Sequence, residues 1–153
     1  GIDNADVRDS IELATRFIFR LLEEGNVKLK FRDDVKMKIA YHTPCHMEKL
    51  GWAYYSIALL RSIPNINLTV LNSQCCGIAG TYGFKKENYE TSQGIGASLF
   101  RQIEEVAADF VATDCETCKW QIEMSTPAKV KHPISILAEA LDLEATRKLN
   151  SDK

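Results

Sequence analysis

The 153-residue sequence contains five cysteines, in three places: Cys45 alone, Cys75-Cys76 followed by Gly77, and Cys115 with Cys118 in a C-x-x-C. Thiolates are nucleophiles, redox groups and soft-metal ligands. Five exceed by one what a tetrahedral zinc or an ordinary four-iron cubane takes, and an adjacent pair suits neither. An odd number cannot form a fully paired disulfide framework, and a chain of this length has no need of one. Thiols kept reduced in a cytoplasm fit better. Four readings of the set follow. A metal cluster held by thiolates from three loops uses all five. A zinc site uses four, or recruits His46. A redox dithiol at Cys115-Glu-Thr-Cys118 leaves Cys45, Cys75 and Cys76 without a role. Incidental burial is the last, since cysteine is among the most buried residue types.

The residues around the cysteines take roles on the cluster reading. Gly77, Gly80 and Gly83 let backbone pass close to a bulky inorganic group and offer N–H donors to it. His46, beside Cys45, is a candidate hydrogen-bond donor to a cluster sulfur; His42 is more readily read as the end of a strand. His132 stands before Pro133 and reads as a helix-entry residue. Glu116 lies between the C-x-x-C thiols and is expected to point to solvent, while Lys119 offers a charge to offset the cluster. Trp120 reads as core or interface. Tyr41, Trp52, Tyr54, Tyr55 and Phe84 are candidates for a docking face, with the core as the default for Tyr54 and Tyr55.

Positioning these residues requires elements that bring three distant loops together. Val7, Ile11, Ala14, Ile18, Leu21 and Leu22 recur at steps of three and four. They predict an amphipathic helix opened by Asn4 or Asp6 and closed at Gly25-Asn26, followed by a charged connector, Lys28 to Lys36. Strands are expected at Met37–Tyr41, Leu68–Leu71, Phe110–Thr113 and Lys129–Lys131. Helices are expected at Gly51–Ile63 and at Asn88–Ala108, the latter with Ile95, Leu99, Ile103 and Val106 on one face. Two more are expected at Lys119–Met124 and from Pro133 through Leu141. This alternation predicts an α/β fold, an open parallel sheet of about four strands with helices packed on it. Each cysteine then falls after a strand and before a helix, in loops that emerge on one edge of the sheet, where ligands bind.

Composition narrows the function classes. Hydrophobic residues are 45% of the chain, enough for a core; the net charge of −2 gives no reason to propose nucleic acid as a partner. The longest apolar run, Trp52 to Leu60, is too short to span a bilayer, and no signal peptide is visible. The first residue is Gly and a helical pattern begins almost at once, which leads to the expectation of a piece of a longer polypeptide. The domain organisation expected is a helix and connector over 1–36, a cysteine-rich domain over 37–148 and a frayed tail over 149–153.

The runs Tyr41 to Lys49, Ser73 to Lys85 and Thr113 to Met124 resemble the cysteine-rich CCG domain of heterodisulfide reductase and its relatives. Within that family they are most similar to the branch serving anaerobic respiratory dehydrogenases that oxidise glycerol 3-phosphate. The resemblance covers about Met37 to Leu141. It implies that Cys45, Cys75, Cys76, Cys115 and Cys118 hold a non-cubane four-iron four-sulfur cluster, with zinc as the alternative. It also implies an electron-transfer module, peripheral on the cytoplasmic side of the inner membrane. Its partners would be a flavin-bearing catalytic subunit, a membrane-associated subunit and an N-terminal ferredoxin-like region, whose C-x₂-C-x₂-C-x₃-C-P run is missing here. The alternatives are cleavage of a disulfide at the cluster, as in heterodisulfide reductase, and a zinc-stabilised interaction domain.

Overall fold

The computed structural model of the chain describes residue 7 and residues 11–151. Four strands, β1 (Met37–Tyr41), β2 (Ile66–Val70), β3 (Phe110–Ala112) and β4 (Val130–Lys131), form one sheet in the order β2-β1-β3-β4. Every pairing is parallel, with Ile39 opposite Leu68 on one side and Phe110 on the other, and Val111 opposite Val130. The expected open parallel sheet is thus present.

Seven α-helices among the described residues cover both faces: α1 (Ala14–Glu23), α2 (Cys45–Leu50), α3 (Ala53–Arg61), α4 (Tyr89–Val106), α5 (Glu116–Ser125), α6 (Pro133–Ala140) and α7 (Leu143–Asn150). Alternation along the strands divides the core. Ala40, Val111 and Val130 pack with Leu99, Phe100 and Ile103 of α4 and Ile122 of α5. Ile39, Tyr41 and Ala112 face the other way, onto Leu59 and Leu60 of α3 and Ile136, Leu137 and Ala140 of α6. The chain leaves β1 toward β2 and later returns past it to β3. The loops after β1 and β3 therefore diverge to opposite faces and leave a crevice between them, the switch point of an open α/β sheet.

Several expectations need correction. The helix expected over Gly51–Ile63 is two helices: Gly51, left-handed at φ 68°, closes α2, and α3 starts at Ala53. Helix α2 itself, beginning at Cys45, carries no periodic signal because it is only six residues long. On α4 the buried face runs Ser92, Gly96, Leu99, Phe100 and Ile103, while Ile95 is 47% exposed. Two small residues there admit a loop rather than continuing an aliphatic stripe. The first periodic run is not one helix: Ile11 is 74% exposed and residues 11–13 are not helical, so that position has no core to face. Asn4 and Asp6 lie outside the described residues. Tyr54 is exposed, edge-on to Phe19 at 5.5 Å, rather than in the core.

Helix α7 has no counterpart in the sequence reading, because its first turn follows Leu141 without the apolar period that marks α6. Asp142 caps it, its carboxylate accepting from the Ala145 N–H at 2.9 Å. The helix then clasps the charged connector. Asn150 accepts from the Lys28 N–H at 2.9 Å and donates to the Lys28 carbonyl at 2.8 Å. Thr146 accepts from the Lys30 N–H at 3.0 Å. Asp142→Ala is expected to cost about 1 kcal/mol of stability, the usual loss for an N-cap carboxylate, read as a lower urea midpoint with unchanged slope.

Candidate metal centre

The loop after β1 turns at Pro44, whose ring biases Thr43 toward extended backbone, and Cys45 becomes the first residue of α2. Cys45 is the one exposed thiol of the five. His46 follows it and is exposed, so the structure does not bring this expected donor into the interior. Glu48, one turn on, accepts from the Ser73 hydroxyl at 2.6 Å and ties α2 to the loop that carries Cys75.

That second loop is laid onto α4. Gly77 adopts φ +91°, and a Cβ there would stand 2.0 Å from the Ser92 carbonyl oxygen. A Cβ on Gly96 would stand 2.6 Å from the Cys76 carbonyl oxygen. Glycine at both places is required by helix–loop contact. The Ser92 hydroxyl donates to the Gly77 carbonyl at 2.9 Å and accepts from Gln121 Nε2 of α5 at 2.9 Å. One buried serine therefore couples the cysteine pair to the helix that carries Cys118. The Gly77 N–H points to the Cys75 sulfur at 3.3 Å, as a donor near thiolates should.

The C-x-x-C opens α5. Cys115 is the N-cap and Cys118 lies one turn on, so the spacing puts both on one side of the helix start. The buried Cys76 and Cys118 sulfurs are 3.3 Å apart. Cys115 Sγ is 3.2 Å from the Thr117 hydroxyl. The Cys118 thiol, shared with Cys115, together with the Thr117 hydroxyl and the α5 backbone N–H groups, lowers Cys115 to about 4 against the cost of burial. Cys76 falls to about 5, again chiefly through Cys118, with a lesser contribution from the nearby His42 ring. Cys118 holds its proton between these two thiolates and is driven far up. Cys45 is raised by partial desolvation and then by the nearness of Cys75 and Cys76. The five sulfurs are thus linked in one electrostatic group.

Four residues to which the sequence assigns little or no role stand at the strand ends beside this group. His42 is 1% exposed, and neither ring nitrogen has a hydrogen-bond partner among the described residues; the buried Thr113 hydroxyl is likewise without one. Such orphaned groups cost about 1–3 kcal/mol each. The parity of β1 is the available signal for His42, which shares a face with Ala40. Asp114 has a side chain 1% exposed and accepts from the Tyr41 and Ser56 hydroxyls, both at 2.6 Å. It pins the residue before Cys115 to β1 and α3. His132 caps α6, its Nδ1 accepting from the Ile134 N–H at 3.1 Å, with Nε2 3.8 Å from Asp114. Lys119 is engaged by Glu116 and Glu123, and Trp120 packs on Phe84 at the surface.

The donor set fits an iron–sulfur cluster: five thiols from three loops, two already anionic, above buried donors that lack acceptors. In the iron-free, reduced protein, alkylation at Cys115 is expected to proceed at a nearly constant rate from pH 5 to pH 8, since its thiolate persists above about pH 4. At Cys45, whose proton is held more tightly than usual, the rate should climb about tenfold per pH unit. Peptide mapping by mass spectrometry reads both; parallel rises would refute the assignment.

Comparison with known proteins agrees with this geometry. The profile of the Cysteine-rich domain family, CCG, matches residues 39–123, which include every cysteine. The chain is 65% identical over 142 residues to a subunit of the anaerobic glycerol-3-phosphate dehydrogenase of Escherichia coli K12, covering 92% of this chain and 35% of that protein. It is 32% identical over 122 residues to an uncharacterised iron-sulfur protein of Methanocaldococcus jannaschii, covering 78% of this chain and 22% of that one. A D-2-hydroxyglutarate dehydrogenase of Pantoea ananatis matches at 32% over 72 residues, covering 46% of this chain and 7% of that protein. The chain spans about a third or less of the length of these relatives. Three cysteine loops gathered at one edge of a parallel sheet, with the profile match laid over all of them, make this chain a member of the cysteine-rich CCG domain family.

Proposed function

We propose that this chain is an iron–sulfur electron-transfer module, with Cys45, Cys75, Cys76, Cys115 and Cys118 as the ligands of a non-cubane four-iron four-sulfur cluster. The observation that carries the reading is the meeting of thiols from three separate loops, with Cys76 and Cys118 in contact at 3.3 Å in the interior. Among the described residues no three His, Cys, Asp or Glu side chains are arranged to hold a single metal ion. A lone tetrahedral zinc uses four of the five thiolates, whereas a multi-iron centre has a use for each. When bound, the cluster supplies one-electron chemistry. The protein's own residues hold it, exclude water on the α4–α5 side through Ile78, Leu99 and Ile122, and leave the Cys45 side open to a partner.

The similarity to one component of a glycerol-3-phosphate dehydrogenase supports a place in a respiratory complex of that kind. In that role the domain passes electrons from a flavin-bearing subunit toward a membrane-associated one and performs no substrate chemistry itself. No helix among the described residues is long and apolar enough to cross a membrane.

The test is anaerobic reconstitution with iron and sulfide, followed by metal and sulfide assays and electron paramagnetic resonance of the oxidised and dithionite-reduced protein. A brown protein with about four irons per chain is expected, and Cys118→Ser should lose most of the iron. A folded, colourless product, or one that carries only zinc, would defeat the proposal. Turnover of a disulfide by the reduced protein would replace electron relay with catalysis at the cluster.

A further inference from the structure

The strand ends beneath the sulfurs carry three polar atoms that the protein leaves unmatched. His42 follows β1 and Thr113 follows β3, and these strands are neighbours, with Tyr41 opposite Ala112. The backbone keeps the two residues together beyond the strands, since the His42 N–H donates to the Ala112 carbonyl at 2.9 Å. Side-chain parity sends both toward the α4–α5 side. Ala40 and Val111 face that cluster, Tyr41 and Ala112 face the other, and His42 and Thr113 return to the first. This is the side that buries Cys76 and Cys118. His42 is 1% and Thr113 2% exposed, and neither ring nitrogen nor the hydroxyl has a partner among the described residues. Other buried side-chain donors around the site are satisfied: Ser92 by Gly77 and Gln121 by Ser92. Of the five buried side-chain polar atoms without a partner among the described residues, these three lie together under the thiols, while Thr15 Oγ1 and Gln93 Nε2 lie elsewhere.

We propose that His42 and Thr113 form a hydrogen-bonding floor for the cluster, donating N–H and O–H to its sulfurs and so raising its reduction potential. The proposal rests on the iron–sulfur reading above and deepens it. Inorganic sulfides and thiolate sulfurs are acceptors only, which is what unpartnered donors at this place require. Hydrogen bonds to cluster sulfurs are a principal lever on potential, because a donor stabilises the more negative, reduced state. In the iron-free fold the His42 ring already favours the Cys76 thiolate, whereas the Thr113 hydroxyl is uncompensated, so removing that hydroxyl should not weaken the fold. A purely structural role has the opposite sign.

The experiment uses Thr113→Val, Thr113→Ser, His42→Leu and His42→Gln in the reconstituted protein. Potentials are read by dithionite titration, and exchangeable protons near the cluster by electron–nuclear double resonance in H₂O and D₂O. With wild-type iron content, Thr113→Val and His42→Leu are each expected to shift the redox equilibrium about tenfold toward the oxidised form, about 59 mV for one electron. Each should also abolish one exchangeable-proton coupling; Thr113→Ser and His42→Gln should restore most of both. Iron-free Thr113→Val should unfold at a urea concentration no lower than the wild type. Shifts below about twofold at full iron content, or no exchangeable coupling in the wild type, would overturn the floor while leaving the cluster reading intact. A wild type that takes up no iron overturns both. Should a variant fail to load, the wild-type coupling and the iron-free urea midpoint still decide.

Discussion

Negative sulfur is hard to gather inside a protein, and most of the architecture answers that difficulty. Thiolates close together repel, and burial penalises each charge further. The fold meets this in three ways. It keeps Cys118 protonated between Cys76 and Cys115 in the metal-free state, so that one hydrogen is shared by three sulfurs. It aims backbone N–H groups at the sulfurs, from the first turn of α5 to Cys115 and from Gly77 to Cys75. It also leaves the fifth thiol, Cys45, at the surface, where water screens it.

Holding the sulfurs there depends on contacts between backbone and small residues more than on aliphatic packing. The loop with the cysteine pair lies against Ser92 and Gly96 so closely that no side chain fits at Gly77 or Gly96. The buried Ser92 then joins that loop to α5 through Gln121. Asp114 does the corresponding work for the other loop, joined to Tyr41 on β1 and Ser56 on α3. Its burial, together with the Asp114 charge, keeps the Tyr41 hydroxyl protonated far beyond its ordinary range. The two arrangements sit on opposite faces of the sheet, so the C-x-x-C that opens α5 is held from both.

What can be read from the sequence is whatever has a period or a count. The strand Met37–Tyr41 and the α4 boundaries are legible because apolar runs end at Gly, Pro or polar turns. The cysteine set is legible because five thiols in three loops have few uses. His42 is not, since its importance comes from what fails to bond to it, and only coordinates show a missing partner. Asp114 is hidden for a similar reason: beside Cys115 it looks like a solvent-facing turn residue, and its partners lie 73 and 58 positions away. His46 draws attention by adjacency to Cys45, and like Cys45 it is exposed on α2. Helix α2 is too short for any periodic test.

The strand order sets when a cluster could be received. In β2-β1-β3-β4, the strand that precedes Cys45 must pair with two neighbours, one reached over α3 and the other over α4. The three cysteine loops become neighbours only when both crossovers have docked, a late event in the assembly of a parallel sheet. Small zinc modules use the metal to nucleate a chain that cannot fold alone. Here the polypeptide has a divided core of its own, on both faces of the sheet, so burial of apolar side chains drives its folding independently of what the thiols bind.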